Sequence, residues 1–374
     1  MAYSWDDLRG RAIARQFPAT STDAAATAAE APGPAALVEA TGPIQSQTAR
    51  SPFIGLAARS PAVDHAAVTA AYESEELVRG STIRGTVHTA TAAQHPLLDA
   101  TTRIGLRLLW ERQLPLETIA LEDIWGAIED YAREDWRTPD DLRGEVCRVL
   151  ADAGESGAVA AIEGGLARHL PTSSGALIRR PLKGPWSGQG APGYRTRGTP
   201  RPADLADLVP MHLRAHGPAS RQDLAWWSGL PLTAVDELIE GLDLVSTPGP
   251  MDRAYLDVPQ GRGPAEHTGV LLLPEFDALL CAYDSKGRDR FATPAHHAAL
   301  WQAANGLLRP ALLVDGRITG HWRAVGSAAR RPLEVAWFAG TRKPRKGELA
   351  DAVATLERGL AITVTQVILT RESI

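Results

Sequence analysis

Pro218-Ala219-Ser220-Arg221-Gln222-Asp223-Leu224-Ala225-Trp226-Trp227-Ser228-Gly229-Leu230-Pro231-Leu232-Thr233 is the stretch that decides the fold class. Ser220 stands where a helix N-cap accepts from a backbone N–H, and Asp223 places a carboxylate in the first turn, against the positive end of the helix dipole. A helix over 221–228 follows, and Gly229 to Thr233 form a tight turn. Thr233 is expected to cap a second helix over 234–242. A helix over 205–215 precedes the pair, and two short strands, 244–246 and 253–256, follow it. Helix, capped helix, turn, helix and hairpin is the plan of a helix-turn-helix with a wing.

The same order recurs upstream. An amphipathic helix is expected over 5–16, then an Ala-rich stretch broken by Pro32-Gly33-Pro34. Helices over 35–40, 51–58 (opened by Pro52 at its first turn) and 64–72 lead into Leu77 to Thr89, which reads as two short strands joined by a turn. In the middle of the chain, helices over 121–135 and 139–153 precede alternating apolar residues at 176–182, a glycine-rich loop over 184–193 and Tyr194-Arg195-Thr196, together a long basic hairpin. The C-terminal part differs. Strands are expected at 270–273, 310–314, 318–322, 333–338 and 362–369, with Asp315-Gly316 as a hairpin turn and a helix over 347–360.

The chain has 374 residues, too many for one core, with 44% hydrophobic and 22% charged residues, the balance of a folded globular protein. It has no apolar run long enough to span a membrane and no signal-peptide pattern. Cys147 and Cys281 read as free thiols of a cytoplasmic protein. The net charge of −5 argues against a polyanion partner, but its distribution is uneven. No acid lies between Glu39 and Asp64, which encloses Arg50 and Arg59. None lies between Glu76 and Asp99, which encloses Arg79, Arg84, His88 and His95. None lies between Glu163 and Asp204, which encloses Arg168, Arg179, Arg180, Lys183, Arg195, Arg197 and Arg201. An acidic body with acid-free basic windows suits a protein that turns one face to a phosphate backbone.

Several blocks are collinear over nearly the whole chain: Gln45-Ser46-Gln47 before Arg50-Ser51-Pro52-Phe53; Arg84-Gly85-Thr86-Val87-His88; Gly217-Pro218 with Asp223 to Leu230; Leu273-Pro274-Glu275-Phe276-Asp277; and Arg309 to Gly316. Together they resemble the winged-helix DNA glycosylase family of AlkZ and YcaQ. The resemblance implies an α+β fold of three tandem winged-helix modules in a C-shaped arrangement around duplex DNA, with a C-terminal, mainly antiparallel, β-barrel-like domain. Boundaries are placed at 1–110, 111–201, 202–262 and 263–374. It implies a monofunctional N-glycosyl hydrolase, acting without cofactor or metal as a monomer on double-stranded DNA that carries alkylated purines. Bulky natural-product adducts and crosslinks are among them, which fits self-resistance in a toxin producer. The family's signature is Gln-x-Gln in the AlkZ branch and Gln-x-Asp in the YcaQ branch. Here Gln45 and Gln47 match the former, and Ser46 departs from its usual apolar or alanine residue.

The chemistry fits two amides. An N7-alkylguanine or N3-alkyladenine is cationic, so its glycosidic bond is already weakened and the base leaves neutral through an oxocarbenium-like transition state. Water then needs positioning more than deprotonation. Glutamine offers one acceptor and one donor group, so Gln45 and Gln47 can orient a water and the sugar without serving as strong bases. In an extended segment the two point one way and Ser46 the other. Taken without the resemblance, the pair also reads as a polar turn. The nearest lysine, Lys183, is remote in sequence, which disfavours a Schiff-base lyase.

Arg84 and His88 have the even spacing of one strand face, and with Arg50 they are candidates for phosphate contact; a surface arginine and a structural histidine are the competing reading of the pair. Arg179, Arg180, Lys183, Trp186, Arg195 and Arg197 mix cations with an aromatic wedge candidate on the middle hairpin. A solvated loop is the competing reading. His212 and His216 have a metal-pair spacing but no third ligand, and His296-His297 diverge. Of Trp226-Trp227, one is expected in the core and the other at the surface. A non-catalytic winged-helix regulator or an adduct sensor is the alternative function.

Overall fold

The computed structural model describes residues 2–18, 31–197, 204–302 and 306–374. The stretch 19–30, Arg201 and the 201/202 boundary lie outside them. The helix α1 (Trp5–Gln16) opens with a reciprocal cap, Ser4 and Asp7 each satisfying the other's backbone N–H. Next come α2 (Pro34–Thr41), the two-residue β1 (Ile44–Gln45), α3 (Ser51–Ala57), α4 (His65–Glu73, capped by Asp64), β2 (Leu77–Thr82) and β3 (Thr86–Thr91). A long helix, α5 (His95–Gln113), leads to α6 (Leu121–Tyr131), α7 (Pro139–Asp152), α8 (Ser156–Glu163) and the hairpin β4 (Leu177–Pro181) and β5 (Pro192–Thr196).

The stretch quoted first folds as α9 (Leu208–His216), α10 (Arg221–Ser228), α11 (Leu232–Ile239) and the hairpin β6 (Val245–Gly249) and β7 (Arg253–Asp257). Ser220 caps α10 as expected, in a reciprocal box with Asp223. Gly229 ends α10 with φ of 78°, a left-handed conformation that favours glycine. Thr233 does not cap α11. That helix starts earlier, at Leu232, with Pro231 as its extended N-cap and no side-chain cap bond, because proline already fixes the entry φ.

The C-terminal part holds β8 (Val270–Leu272), α12 (Ala278–Cys281), α13 (Pro294–Leu300), β9 (Trp301–Gln302), β10 (Leu307–Leu308), β11 (Ala311–Val314), β12 (Arg317–Ala324), β13 (Arg330–Phe338), α14 (Lys346–Leu360) and β14 (Thr363–Glu372). Its five strands run in the order β14-β13-β12-β11-β8. All neighbours are antiparallel except β13 and β14, which α14 connects as a parallel pair.

The first five-stranded sheet has the order β1-β3-β2-β4-β5. The basic hairpin β4–β5 therefore completes the sheet begun by β1–β3 rather than standing apart. The junction is Gly80 against Ile178. A Cβ at Gly80 would lie 2.8 Å from the Leu177 carbonyl oxygen, so only glycine admits this approach. Packing joins distant segments as well. One core contains Ile13 and Phe17 of the first helix region, Leu98 of α5, Leu213 and Trp227 of the third helical group, and Leu313 and Phe338 of the C-terminal sheet. A second gathers α5 to α8 around Trp125. The architecture is mixed α+β with largely antiparallel sheets.

Candidate active site

The edge strand β1 ends at Gln45, which pairs with His88 of β3; the Ser46 N–H still bonds the Val87 carbonyl at 2.7 Å, and the chain bends at Gln47. Gln45 and Gln47 line one cleft, and Ser46 between them is turned inward, where it is 2% exposed. Ser46 Oγ accepts from Thr89 Oγ1 at 3.0 Å, Thr89 Oγ1 lies 2.6 Å from Tyr72 Oη, and Arg79 Nη2 donates to Tyr72 Oη at 3.1 Å. Arg79 also donates to the carbonyls of Ala49 and Trp186. The polar middle residue is thus accommodated by a chain of buried hydrogen bonds that runs from Ser46 through Thr89 and Tyr72 to the two terminal nitrogens of Arg79.

Both glutamine amides are oriented by donors. Arg84 Nη2 donates to Gln45 Oε1 at 2.9 Å, and the Val87 N–H donates to Gln47 Oε1 at 3.3 Å. Only the carbonyl oxygen of an amide accepts, so these donors fix which way each side chain is turned. Arg84 sits in the turn between β2 and β3 with φ of 58°. Its guanidinium also donates to the Trp227 carbonyl at 2.6 Å, and burial pushes it below its ordinary pKa. The expectation that Arg84 and His88 share a strand face does not hold. Arg84 is in the turn, and His88 is 2% exposed beneath the sheet, its Nδ1 3.1 Å from Thr82 Oγ1. Burial, with Arg84 adding, lowers His88 to a pKa of about 3, so it is neutral and offers no charge to a phosphate.

The cleft has a volume of about 280 Å³ and is lined by Gln45, Gln47, Arg84, Thr86, Trp226, Phe276, Cys281, Arg288, Trp301, Gly306 and Leu307. No carboxylate and no lysine is found among the described residues that line it. Burial pushes the Cys281 thiol up to about 11, which makes it a poor nucleophile. The Leu273 to Asp277 block clamps the floor. Glu275 pairs with Arg50, and Asp277 takes both guanidinium nitrogens of the buried Arg59 at 3.0 and 3.1 Å. Arg50 therefore faces a carboxylate, not open solvent. Phe276 and Arg288 carried no assigned role in the sequence, and Trp226 only the expectation that one of the Trp226-Trp227 pair lies at the surface. Their signal was the Trp226-Trp227 pair and the 273–277 block, whose meaning depends on contacts more than forty positions apart.

The basic hairpin is tied down rather than free. Trp186, the expected wedge, is 9% exposed, stacks on Tyr72 with ring centroids 4.5 Å apart and 4° between planes, and donates to Glu73 at 2.5 Å. It anchors the glycine-rich loop. Gln189 in that loop donates to the Gln47 carbonyl at 3.3 Å. Arg195 and Arg197 pair with Glu75. Arg180 and Arg195 lie over the Trp136 ring, and Arg179 over Tyr194. Lys183 is exposed. Elsewhere, Trp227 is in the core at 3% exposure and Trp226 at the surface at 43%. His212 and His216 pack their rings 4.9 Å apart inside the core, while His297 bonds Arg288 and the His296 ring lies tilted against Phe338.

A family model described as DNA glycosylase AlkZ-like matches residues 38–358. Among solved structures, Streptomyces sahachiroi DNA glycosylase AlkZ is similar at a TM-score of 0.79 and 19% identity, covering 99% of this chain and 100% of that one. At that identity the likeness speaks for the fold. No curated protein matches the chain. No helix among the described residues is long and apolar enough to cross a membrane.

Proposed function

The chain belongs to the AlkZ-like DNA glycosylase family, and from that premise we propose that it hydrolyses the N-glycosidic bond of cationic alkylated purines, N7-alkylguanine and N3-alkyladenine, in duplex DNA. One observation carries the reading. Gln45 and Gln47 enter one cleft whose described lining has no carboxylate and no lysine. Such a site has no strong general base, no acid to protonate a leaving group and no amine for a Schiff base. It suits a substrate whose base is already a good leaving group and disfavours neutral lesions such as uracil.

In this reading the spare acceptor lone pairs of Gln45 and Gln47 hold a water beneath the sugar C1′, with the two amides preset by Arg84 and the Val87 N–H. The enzyme is monofunctional and of the Gln-x-Gln branch. Its helix–hairpin units act as three winged-helix modules along 1–110, 111–201 and 202–262, curved around the duplex, and 263–374 forms the β domain. Arg179, Arg180 and Lys183 on the second hairpin meet the phosphate backbone, while Arg195 and Arg197 are held by Glu75. The open cleft beside an exposed tryptophan suits bulky adducts or crosslinks, and hence self-resistance in a producer of a DNA-alkylating compound. The test is a duplex with a single N7-alkylguanine, scored for alkali-labile strand scission beside a uracil duplex. Scission of the first and not the second is expected. Tight binding without scission marks an adduct sensor instead.

A further inference from the structure

We infer that Trp226 and Arg288 form a subsite for a planar aromatic substituent carried by the alkylated purine, an inference that rests on the glycosylase reading above. Trp226 is 43% exposed and lines the cleft that holds both glutamines, whereas its neighbour Trp227 is spent on the core. An indole left open inside a cleft is an unused stacking surface. The Arg288 guanidinium lies over the Trp226 ring, its central carbon 4.9 Å from the centroid. Arg288 is itself 7% exposed and held in place, Nε donating to the Tyr283 carbonyl at 3.2 Å and Nη1 lying 3.1 Å from His297 Nε2. With two nitrogens committed and its central carbon over an indole, it is a poor phosphate fork. It extends the π surface instead.

Two further features point to a built site. Phe276 lines the same cleft with φ of 58°, a left-handed conformation that a phenylalanine seldom adopts. Its neighbours Glu275 and Asp277 are each clamped by an arginine, which holds the strained residue in place. Arg84 then fixes the wall relative to the reacting bond. The same guanidinium reaches Gln45 Oε1 at 2.9 Å and the carbonyls of Trp226 and Trp227 at 3.4 and 2.6 Å. A flat group stacked on Trp226 therefore has a set distance to Gln45. Beside this wall the described lining adds apolar, amide and guanidinium surface.

The experiment uses the full chain and three duplexes, carrying N7-methyl-, N7-cyclohexylmethyl- or N7-benzylguanine. Excision kcat/KM and duplex Kd are measured for wild type, Trp226→Ala and Trp226→Phe. In wild type the benzyl adduct is preferred over the cyclohexylmethyl adduct of similar size. In Trp226→Ala the benzyl-to-methyl ratio falls by roughly ten-fold or more, the scale of one lost stacking contact, and Trp226→Phe restores most of it. A ratio that Trp226→Ala leaves unchanged, or an equal preference for benzyl and cyclohexylmethyl in wild type, overturns the subsite. If no duplex loses its base, the hydrolase reading falls, and the same ratio taken on Kd still decides the subsite.

Discussion

Replacing Arg84 by methionine separates a role in orienting Gln45 from a role in holding phosphate. Methionine keeps the apolar stem and removes every donor. Two of the bonds lost are close, to Gln45 Oε1 at 2.9 Å and to the Trp227 carbonyl at 2.6 Å. A hydrogen bond from a charged donor is worth about 1.5–3 kcal/mol. If the first of these bonds holds Gln45 in the reactive orientation, its loss raises the barrier by that amount. The excision rate then falls by roughly 10- to 150-fold. The assay is single-turnover excision of N7-alkylguanine at saturating enzyme, which isolates the step after binding, with duplex affinity measured across a salt series. Duplex affinity should change little. An excision rate within about two-fold of wild type, together with weaker binding and a salt slope reduced by about one, would refute the orienting role and return Arg84 to the phosphate backbone.

Three further outcomes are expected. Tyr72→Phe cuts the chain from Arg79 through Thr89 to Ser46 and leaves buried Thr89 and Arg79 groups short of a partner; stability should drop by about 1–3 kcal/mol in guanidinium unfolding. The excision rate should fall as well, since Ser46 lies between the two glutamines. Trp186→Ala removes the Tyr72 stack and the Glu73 bond, which should cost about 3 kcal/mol and speed tryptic cleavage after Lys183. Burial lowers His88 and His216 to about 3, His95 to about 4, and His212 well below its usual value. These histidines are neutral when folded and titrate near 6.5 when unfolded. Each therefore leaves stability untouched above pH 7 and lowers it by up to about 1.4 kcal/mol per pH unit as the pH falls below 6.5 towards the folded values. Unfolding free energy that stays constant from pH 7 to pH 5 contradicts this.

What the sequence made legible follows from where local chemistry decides structure. Ser220, Asp223 and Gly229 signal α10 from its own caps, and Asp315-Gly316 signals its turn by the positive φ that both residues adopt, 48° and 72°. The alternation of Gln45, Ser46 and Gln47 implied that the outer side chains share a side; both line one cleft, although the strand ends at Gln45 and Gln47 lies in a bend. Other features depend on distant partners. The helix α5 was missed because Thr101, Thr102, Ile104 and Gly105 are poor helix formers, and burial of Leu98, Leu106 and Trp110 overrides them. Spacing carries no information on depth, so it did not decide between phosphate contact and a structural role for His88, and burial decides for the latter. Trp186 read as a wedge because nothing in its loop announces Tyr72 as a partner more than a hundred residues upstream. Cations in the acid-free windows looked free, yet Arg50 and Arg195 find Glu275 and Glu75 elsewhere in the chain.

The most direct test of the central claim is the double variant Gln45→Ala/Gln47→Ala, assayed for alkali-labile scission of a duplex with a single N7-alkylguanine. Both side chains face the cleft, so their truncation leaves the buried Ser46 network in place. Excision should disappear while duplex affinity stays near that of wild type. Scission that persists at the wild-type rate means that these two amides do not position the water.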